Sequence, residues 1–248
     1  MNEKEFWKIR AEKYNELEWV TKKDIIRSLI DISELKKNHV VLDAGCGTGK
    51  VATSIYHLVD KVYGVDISEA MMSSINKEKF PFLKLDVCDI KNMHYGDDTF
   101  DRVIARLVLH HITDDDELDK AVKECRRVLK KGGKIVVSEG VPPVDEVEQD
   151  FTDIFKLKEK RRTLTSRGIK ELLEKNGFKN VRVHFAKDRG MSIKNWLDNS
   201  GDLSEEIKQK IYDMHKNSSE IFKKAYNLKD TGDDILIDVK VAIMTGEK

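Results

Sequence analysis

Val40-Val41-Leu42-Asp43-Ala44-Gly45-Cys46-Gly47-Thr48-Gly49-Lys50 is the stretch that decides the fold. Val40 to Leu42 is a short apolar run bounded by turn signals, which reads as a buried strand. Asp43 closes it, and glycines follow at every second position: Gly45, Gly47 and Gly49. Residues 51–59 then carry a helical pattern. A strand, a glycine turn and a helix start together form a hollow of backbone that a ligand can approach closely, because glycine has no Cβ to hold it off. Two familiar ligand classes fail on spacing. A phosphate-cradling P-loop needs glycine where Ala44 stands and Ser or Thr where Val51 stands. A dinucleotide turn needs G-x-G-x-x-G, and the glycines here are spaced G-x-G-x-G. A glycine-rich connector that holds nothing is the bland alternative.

Downstream, acids recur at the ends of apolar runs. Residues 61–67 read as a second strand ending in Asp66, about 20 residues past the turn, where a carboxylate can accept bonds from ribose hydroxyls. Ser68 caps a following helix that holds Met71 and Met72. Met71 covers a ligand face or simply packs the core. Residues 80–87 read as a third strand, with Asp86 either accepting from an adenine amino group or solvated in a loop. The carboxyl ends of strands in an open parallel sheet line the ligand crevice, so three acids at successive strand ends support one another. Residues 100–111 read as a buried fourth strand running into a loop that contains His110 and His111. Asp114 to Asp116 start a helix to about Lys130, stopped by Gly132-Gly133, and residues 134–141 form a fifth strand with Glu139 near its exit.

These blocks resemble, in order, those of class I S-adenosylmethionine-dependent methyltransferases of the small-molecule (quinone, sterol and natural-product) kind. Asp43 to Gly49 resembles the first motif at every position. Phe100-Asp101, Leu109-His110-His111 and Arg126 to Gly133 resemble later blocks, and the likeness covers roughly Phe6 to Val141. The resemblance implies an α/β fold: a Rossmann-like seven-stranded mixed sheet, order 3-2-1-4-5-7-6, strand seven antiparallel, helices on both faces. It implies S-adenosyl-L-methionine as cofactor and S-adenosyl-L-homocysteine as product. Asp43, Gly45, Cys46, Gly47, Asp66, Ile67, Met71, Asp86, Val87, Arg106 and Tyr14 are then the expected cofactor contacts.

Residues 1–35 read as an N-terminal helical cap, with helices over 3–18 and 21–32. Phe6, Trp7, Tyr14 and Trp19 pack this pair onto the body, or Tyr14 reaches over the cofactor. The core is expected over 36–186 and 235–248, with strands six and seven at 178–186 and 235–244. Between them, 187–234 carries an amphipathic stripe of Ile207, Ile211, Met214, Ile221 and Phe222. It reads as a helical lid over an acceptor pocket, or as an extra helix or dimer surface.

Methyl transfer is displacement at a carbon that the cofactor already activates, so alignment, water exclusion and sometimes a base are what a protein must add. His110, His111 and Glu139 are the candidate bases, because strands four and five open on one crevice and histidine titrates near neutrality. Arg106 departs from the family pattern and can grip an anionic acceptor or pair with a nearby acid. No clustered set of acids suggests a metal. Lys plus Arg and Asp plus Glu both number 45, which argues against a dedicated nucleic-acid binder. No apolar run approaches a membrane span. Three scattered cysteines, Cys46, Cys88 and Cys125, and a polar N-terminus lead to the expectation of a cytoplasmic protein. The expected partner is a small, anionic or amphipathic acceptor. A cofactor-binding regulatory protein without turnover, or an RNA or protein methyltransferase, are the alternatives.

Overall fold

The structure is a computed structural model, and it describes residues 3–11, 13–17, 23–201 and 203–248. Trp19 and the expected helix start at Thr21 lie outside the described residues. The chain opens with α1 (Glu3–Ala11), a 3-10 turn (Tyr14–Glu16) and α2 (Lys23–Ile32). The alternating unit follows as β1 (Val40–Ala44), α3 (Lys50–Ile55), β2 (Lys61–Asp66), α4 (Glu69–Met72), β3 (Lys84–Val87) and β4 (Phe100–Arg106). Then come α5 (Asp115–Val128), β5 (Leu129–Gly140), α6 (Glu148–Lys158), α7 (Ser166–Lys175) and β6 (Lys179–Ser192). Three short helices, α8 (Ile193–Asp198), α9 (Glu205–Lys216) and α10 (Glu220–Ala225), lead to β7 (Lys229–Asp230) and β8 (Ile235–Glu247).

The strands form one sheet in the order β3-β2-β1-β4-β5-β8-β6. β1 pairs in parallel with β2 and β4, and β8 runs antiparallel to β5 and β6. This is the expected order, with β8 in the place of strand seven. The strand count differs because Lys229 and Asp230 add a two-residue strand against Leu236 and Ile235.

Both faces of the sheet are buried, so the central strands are nearly continuous apolar runs. One face packs Leu118, Ala121 and Val122 of α5 and Ile169 and Leu173 of α7. The other packs Ile25, Ile26 and Leu29 of α2 and Val51 and Ile55 of α3. α5 begins as its sequence dictates: the Asp114 carboxylate accepts from the Glu117 N–H at 3.0 Å, and three acids fill the first turn. A cap of this kind contributes about 1 kcal/mol.

Several boundaries move from the sequence reading. The N-terminal helix ends at Ala11 rather than 18, the helix after the glycine turn ends at Ile55, and the third strand starts at Lys84. α5 ends at Val128 because β5 begins at the next residue, and Gly132-Gly133 lie inside that strand. There the pairing with β4 shifts register between Phe100 and Arg102, and a Cβ on Gly133 would meet the Lys130 carbonyl at 2.9 Å. The glycines therefore mark an irregularity in a strand, not a helix stop. β6 runs six residues beyond Ala186, so the helices between β6 and β8 occupy 193–234.

A third apolar cluster forms away from the sheet centre. Phe151 and Ile154 of α6, Trp196 of α8, Ile211 of α9 and Phe222 of α10 pack together with Leu17 and Met191. It joins the N-terminal turn, α6 and the three late helices into one cover at the carboxyl edge of the parallel strands.

Candidate active site

The glycine turn is built around positive-φ positions. Gly45 has φ +74°, and a Cβ there would lie 2.4 Å from a Val108 methyl, so the loop after β4 packs directly on its backbone. Asp43, at the tip of β1, is buried, and its carboxylate accepts from the Ala52 N–H at 2.9 Å, tying strand to helix. Burial pushes its carboxyl up to about 7. Asp66, at the tip of β2, accepts from Gly47 N–H and from Ser68 N–H, each at 2.8 Å. It thus braces the turn while facing the same hollow. Burial raises its pKa against those two bonds.

That hollow, about 890 Å³ counting its open mouth, brings together Asp43, Gly45, Cys46, Gly47, Asp66, Ile67 and Met71 with Tyr14 and Arg106. These are nine of the eleven expected contacts. Asp86 and Val87 do not line it. Asp86 accepts from the Tyr95 hydroxyl at 2.6 Å and lies 3.8 Å from His94, and Val87 is half exposed. The physical reason is register: Asp86 stands opposite Val65, one residue short of the carboxyl end of β3. The chain reaches the crevice only beyond β3, where Asp89, Ile90 and Lys91 line the hollow. The second aspartate, three residues past Asp86, is the signal that could have pointed there. Cys46 is buried, and burial holds its thiol well above the ordinary range, so it is neutral and unreactive. The Thr48 hydroxyl also lines the hollow, buried and with no hydrogen-bond partner among the described residues.

A second hollow of similar size adjoins the first, and both are walled by Trp7, Tyr14, Arg106, Leu107 and His111. Its far wall comes from the cover: Leu17, Phe151, Phe155, Met191 and Trp196. Arg106 is half-buried at the junction, within the field of Tyr14, Asp43, Asp188 and Glu139. Trp7 stands edge-on to His111 with ring centroids 4.7 Å apart.

His110 and His111 follow β4 in a 3-10 turn. His110 faces the second hollow, and His111 faces both. Glu139 lines neither. It is fully buried behind His110, with one carboxylate oxygen accepting from Val108 N–H (3.1 Å) and Leu109 N–H (2.9 Å) and the other 2.6 Å from His110 Nδ1. Burial raises Glu139 to about 7, and burial with Arg161 beyond it holds His110 well below the usual histidine range. A neutral His110 can donate its Nδ1–H to the ionised Glu139 along the 2.6 Å contact. This is the arrangement in which a carboxylate fixes an imidazole tautomer and leaves Nε2 free to accept.

The sequence reading missed Trp7, Asp89, Arg10, Lys158, Glu159 and Arg161. The last three lie in the 141–162 stretch that breaks the family pattern, although Phe151, Ile154 and Phe155 there carry helical spacing. His110, His111 and Glu159 also bring ligand atoms within 4.8 Å of one another, a set that could hold a metal.

A family profile described as a methyltransferase domain matches residues 42–137. The match spans β1 to most of β5, the segment that holds Asp43, the glycine turn, Asp66, Arg106 and both histidines. The chain is 30% identical over 156 residues to the uncharacterized methyltransferase YcgJ of Bacillus subtilis (61% of this chain, 60% of that protein). It is 34% identical over 131 residues to the ubiquinone/menaquinone biosynthesis C-methyltransferase UbiE of Pasteurella multocida (48% and 46%). The chain thus spans about half the length of the curated relatives it matches. In structure it superposes on YcgJ with a TM-score of 0.77 over 90% of this chain and 97% of that one, at 20% identity. Phosphoethanolamine N-methyltransferase 2 of Haemonchus contortus, solved in complex with S-adenosyl-L-methionine, shares the fold at a TM-score of 0.60 and 21% identity, over 94% of this chain and 56% of that one. The sheet around the matched segment therefore has the fold of these two solved structures. Among the described residues, no helix is long and apolar enough to cross a membrane.

Proposed function

We propose that the protein transfers a methyl group from S-adenosyl-L-methionine to a small amphipathic molecule held in the second hollow. The observation that carries this reading is the junction of the two hollows at Tyr14, Arg106, Leu107 and His111. A cofactor cradle that opens directly into a second, aromatic-walled hollow has the layout methyl transfer needs, because donor and acceptor must meet in line. The first hollow fits the cofactor on its own terms. It offers a backbone cradle that a Cβ would fill at Gly45, an unpartnered buried hydroxyl at Thr48, and carboxylates at Asp43 and Asp66. Asp66, with Asp89 in place of Asp86, would receive the adenosine part, and Asp43 and the turn the amino-acid part. When bound, the cofactor supplies the activated methyl group.

The chain's own residues do the rest. The cover from α6 and α8 excludes water from the second hollow, and Arg106 and Tyr14 hold the boundary between donor and acceptor. His110 Nε2 takes the acceptor's proton, and Glu139 positions the ring and stabilises the imidazolium. His111 packs between Trp7 and His110 and orients the acceptor. The relative UbiE, a quinone C-methyltransferase by name, supports a small-molecule acceptor. Calorimetry with S-adenosyl-L-homocysteine tests the cofactor half: micromolar binding is expected, and no binding at millimolar ligand overturns it. Methyl release onto a library of aromatic and aliphatic acids tests the acceptor half. Cofactor binding with no turnover on any member would favour a regulatory protein instead.

A further inference from the structure

Beside the two histidines, one buried carboxylate is surrounded by three buried cations. Glu159 pairs with Arg10, with Lys158 Nζ at 3.0 Å and with Arg161 at 3.6 Å. None of these four side chains is more than 7% exposed, and all line the second hollow. The next acid inward, Glu139, is spoken for by His110 and two backbone amides. Counting Arg10, Lys158, Arg161 and Arg106 against Glu159, Glu139 and Asp188, all as ionised, this region still carries a surplus of one positive charge. Buried charge without a counter-charge is costly, and proteins rarely keep it without a use. Packing alone does not account for the surplus, because a second carboxylate or an apolar residue would fill the same space at less cost.

We infer that the acceptor carries an oxyanion group, a carboxylate or a phosphate, which docks on Arg10, Lys158 and Arg161 while its apolar body lies against Phe151, Phe155 and Trp196. This deepens the methyltransferase reading and rests on it for the word acceptor. The cations are held ready. The Arg10 guanidinium lies 4.7 Å over the Phe6 ring and donates from Nε to the Ser200 carbonyl. The Arg161 guanidinium lies 4.2 Å over Phe155, and the Lys158 ammonium 5.4 Å over Trp196. Each aromatic contact fixes a cation while leaving its charge facing the hollow, so little order is lost when an anion arrives. The same surplus decides against a metal ion on His110, His111 and Glu159. A divalent cation there would sit among three like charges and would compete with them for the one carboxylate.

The test is calorimetry with benzoate, phenyl phosphate and the neutral isostere benzamide, titrated into the full chain with and without S-adenosyl-L-homocysteine. One acid is expected to bind at least tenfold more tightly than benzamide, and which acid does so separates carboxylate from phosphate. Arg161→Gln and, independently, Lys158→Met are expected to weaken that acid at least tenfold while S-adenosyl-L-homocysteine affinity stays within twofold. Benzamide binding as tightly as both acids, or both variants retaining full acid affinity, overturns the proposal. Acid binding that keeps this charge dependence in a protein that never binds S-adenosyl-L-homocysteine upholds the anion site and removes the methyltransferase reading instead.

Discussion

At Glu139 the exchange of one oxygen for nitrogen reverses a tautomer. In Glu139→Gln the amide oxygen still accepts from Val108 and Leu109, but the NH2 then faces His110 Nδ1 as a donor. The proton moves to Nε2, and the ring can no longer accept there. The expected outcome in a steady-state methyl-transfer assay is a fall in kcat of about 10²–10⁴ with cofactor affinity unchanged, the usual worth of a general base. The wild-type rate should be flat well above pH 7 and fall as pH drops through about 7, where Glu139 takes up a proton and faces Nδ1 as a donor just as the glutamine does. Burial, Arg161, Lys158 and Arg10 all depress His110, and only Glu159 opposes them. An unchanged kcat in the Gln variant removes the base role. At Asp43 the sign runs the other way. Its folded pKa of about 7 stands above the ordinary 3.8, so between those values the native state holds a proton that the unfolded state has lost. Stability of the cofactor-free protein therefore falls as pH rises toward 7, by at most about 1.4 kcal/mol per pH unit from this group. Asp43→Asn should lose that slope in urea titrations at pH 5 and 7, and an identical slope in both proteins contradicts it. Gly45, Asp43 and Asp66, where backbone demand sets the residue, meet in one hollow as the sequence led one to expect. Asp86 lies outside it, because one-residue register at a strand tip is set by pairing with β2 and not by the local pattern.

Among the elements, the glycine turn and the cover behave differently. Gly45→Ala places a methyl 2.4 Å from Val108 at a φ of +74°, so the loop carrying His110 must shift. Loss of cofactor affinity by tenfold or more is expected in calorimetry, with the sheet still folded by circular dichroism; retained affinity would mean that the loop does not rest on the turn as described. The cover is a core in its own right. Ile211 in α9 is fully buried, and Ile211→Ala should cost about 2–5 kcal/mol by chemical denaturation if the cover unfolds with the sheet. A normal main transition with an early, separate one would show that the cover opens alone. Its helices were legible from the apolar stripe at Ile207, Ile211 and Met214. α6 was not, because its apolar residues are diluted by charges whose partners, Arg10 above all, lie about 150 residues away in sequence and only meet in the fold.

For the whole molecule, the order of strands and acids is what the sequence made plain, and the second hollow is what it hid. The sheet order follows from alternating strand and helix patterns with right-handed connections, which leave few topologies. The second hollow is assembled from many separated stretches that share no motif, among them α1 and the N-terminal turn, the end of β4, α6, β6, α8 and β8. No local pattern announces a surface assembled in that way. The central claim is that three strand ends and one glycine turn together hold S-adenosyl-L-methionine, and Asp66 is where it is most exposed to test. Its carboxylate both faces the hollow and ties Gly47 to Ser68. The decisive measurement is the affinity of Asp66→Ala for S-adenosyl-L-homocysteine by isothermal calorimetry, beside the wild type at one pH and salt. A loss of at least tenfold in a variant that remains folded is the expected result, and an affinity equal to the wild type's would contradict the claim.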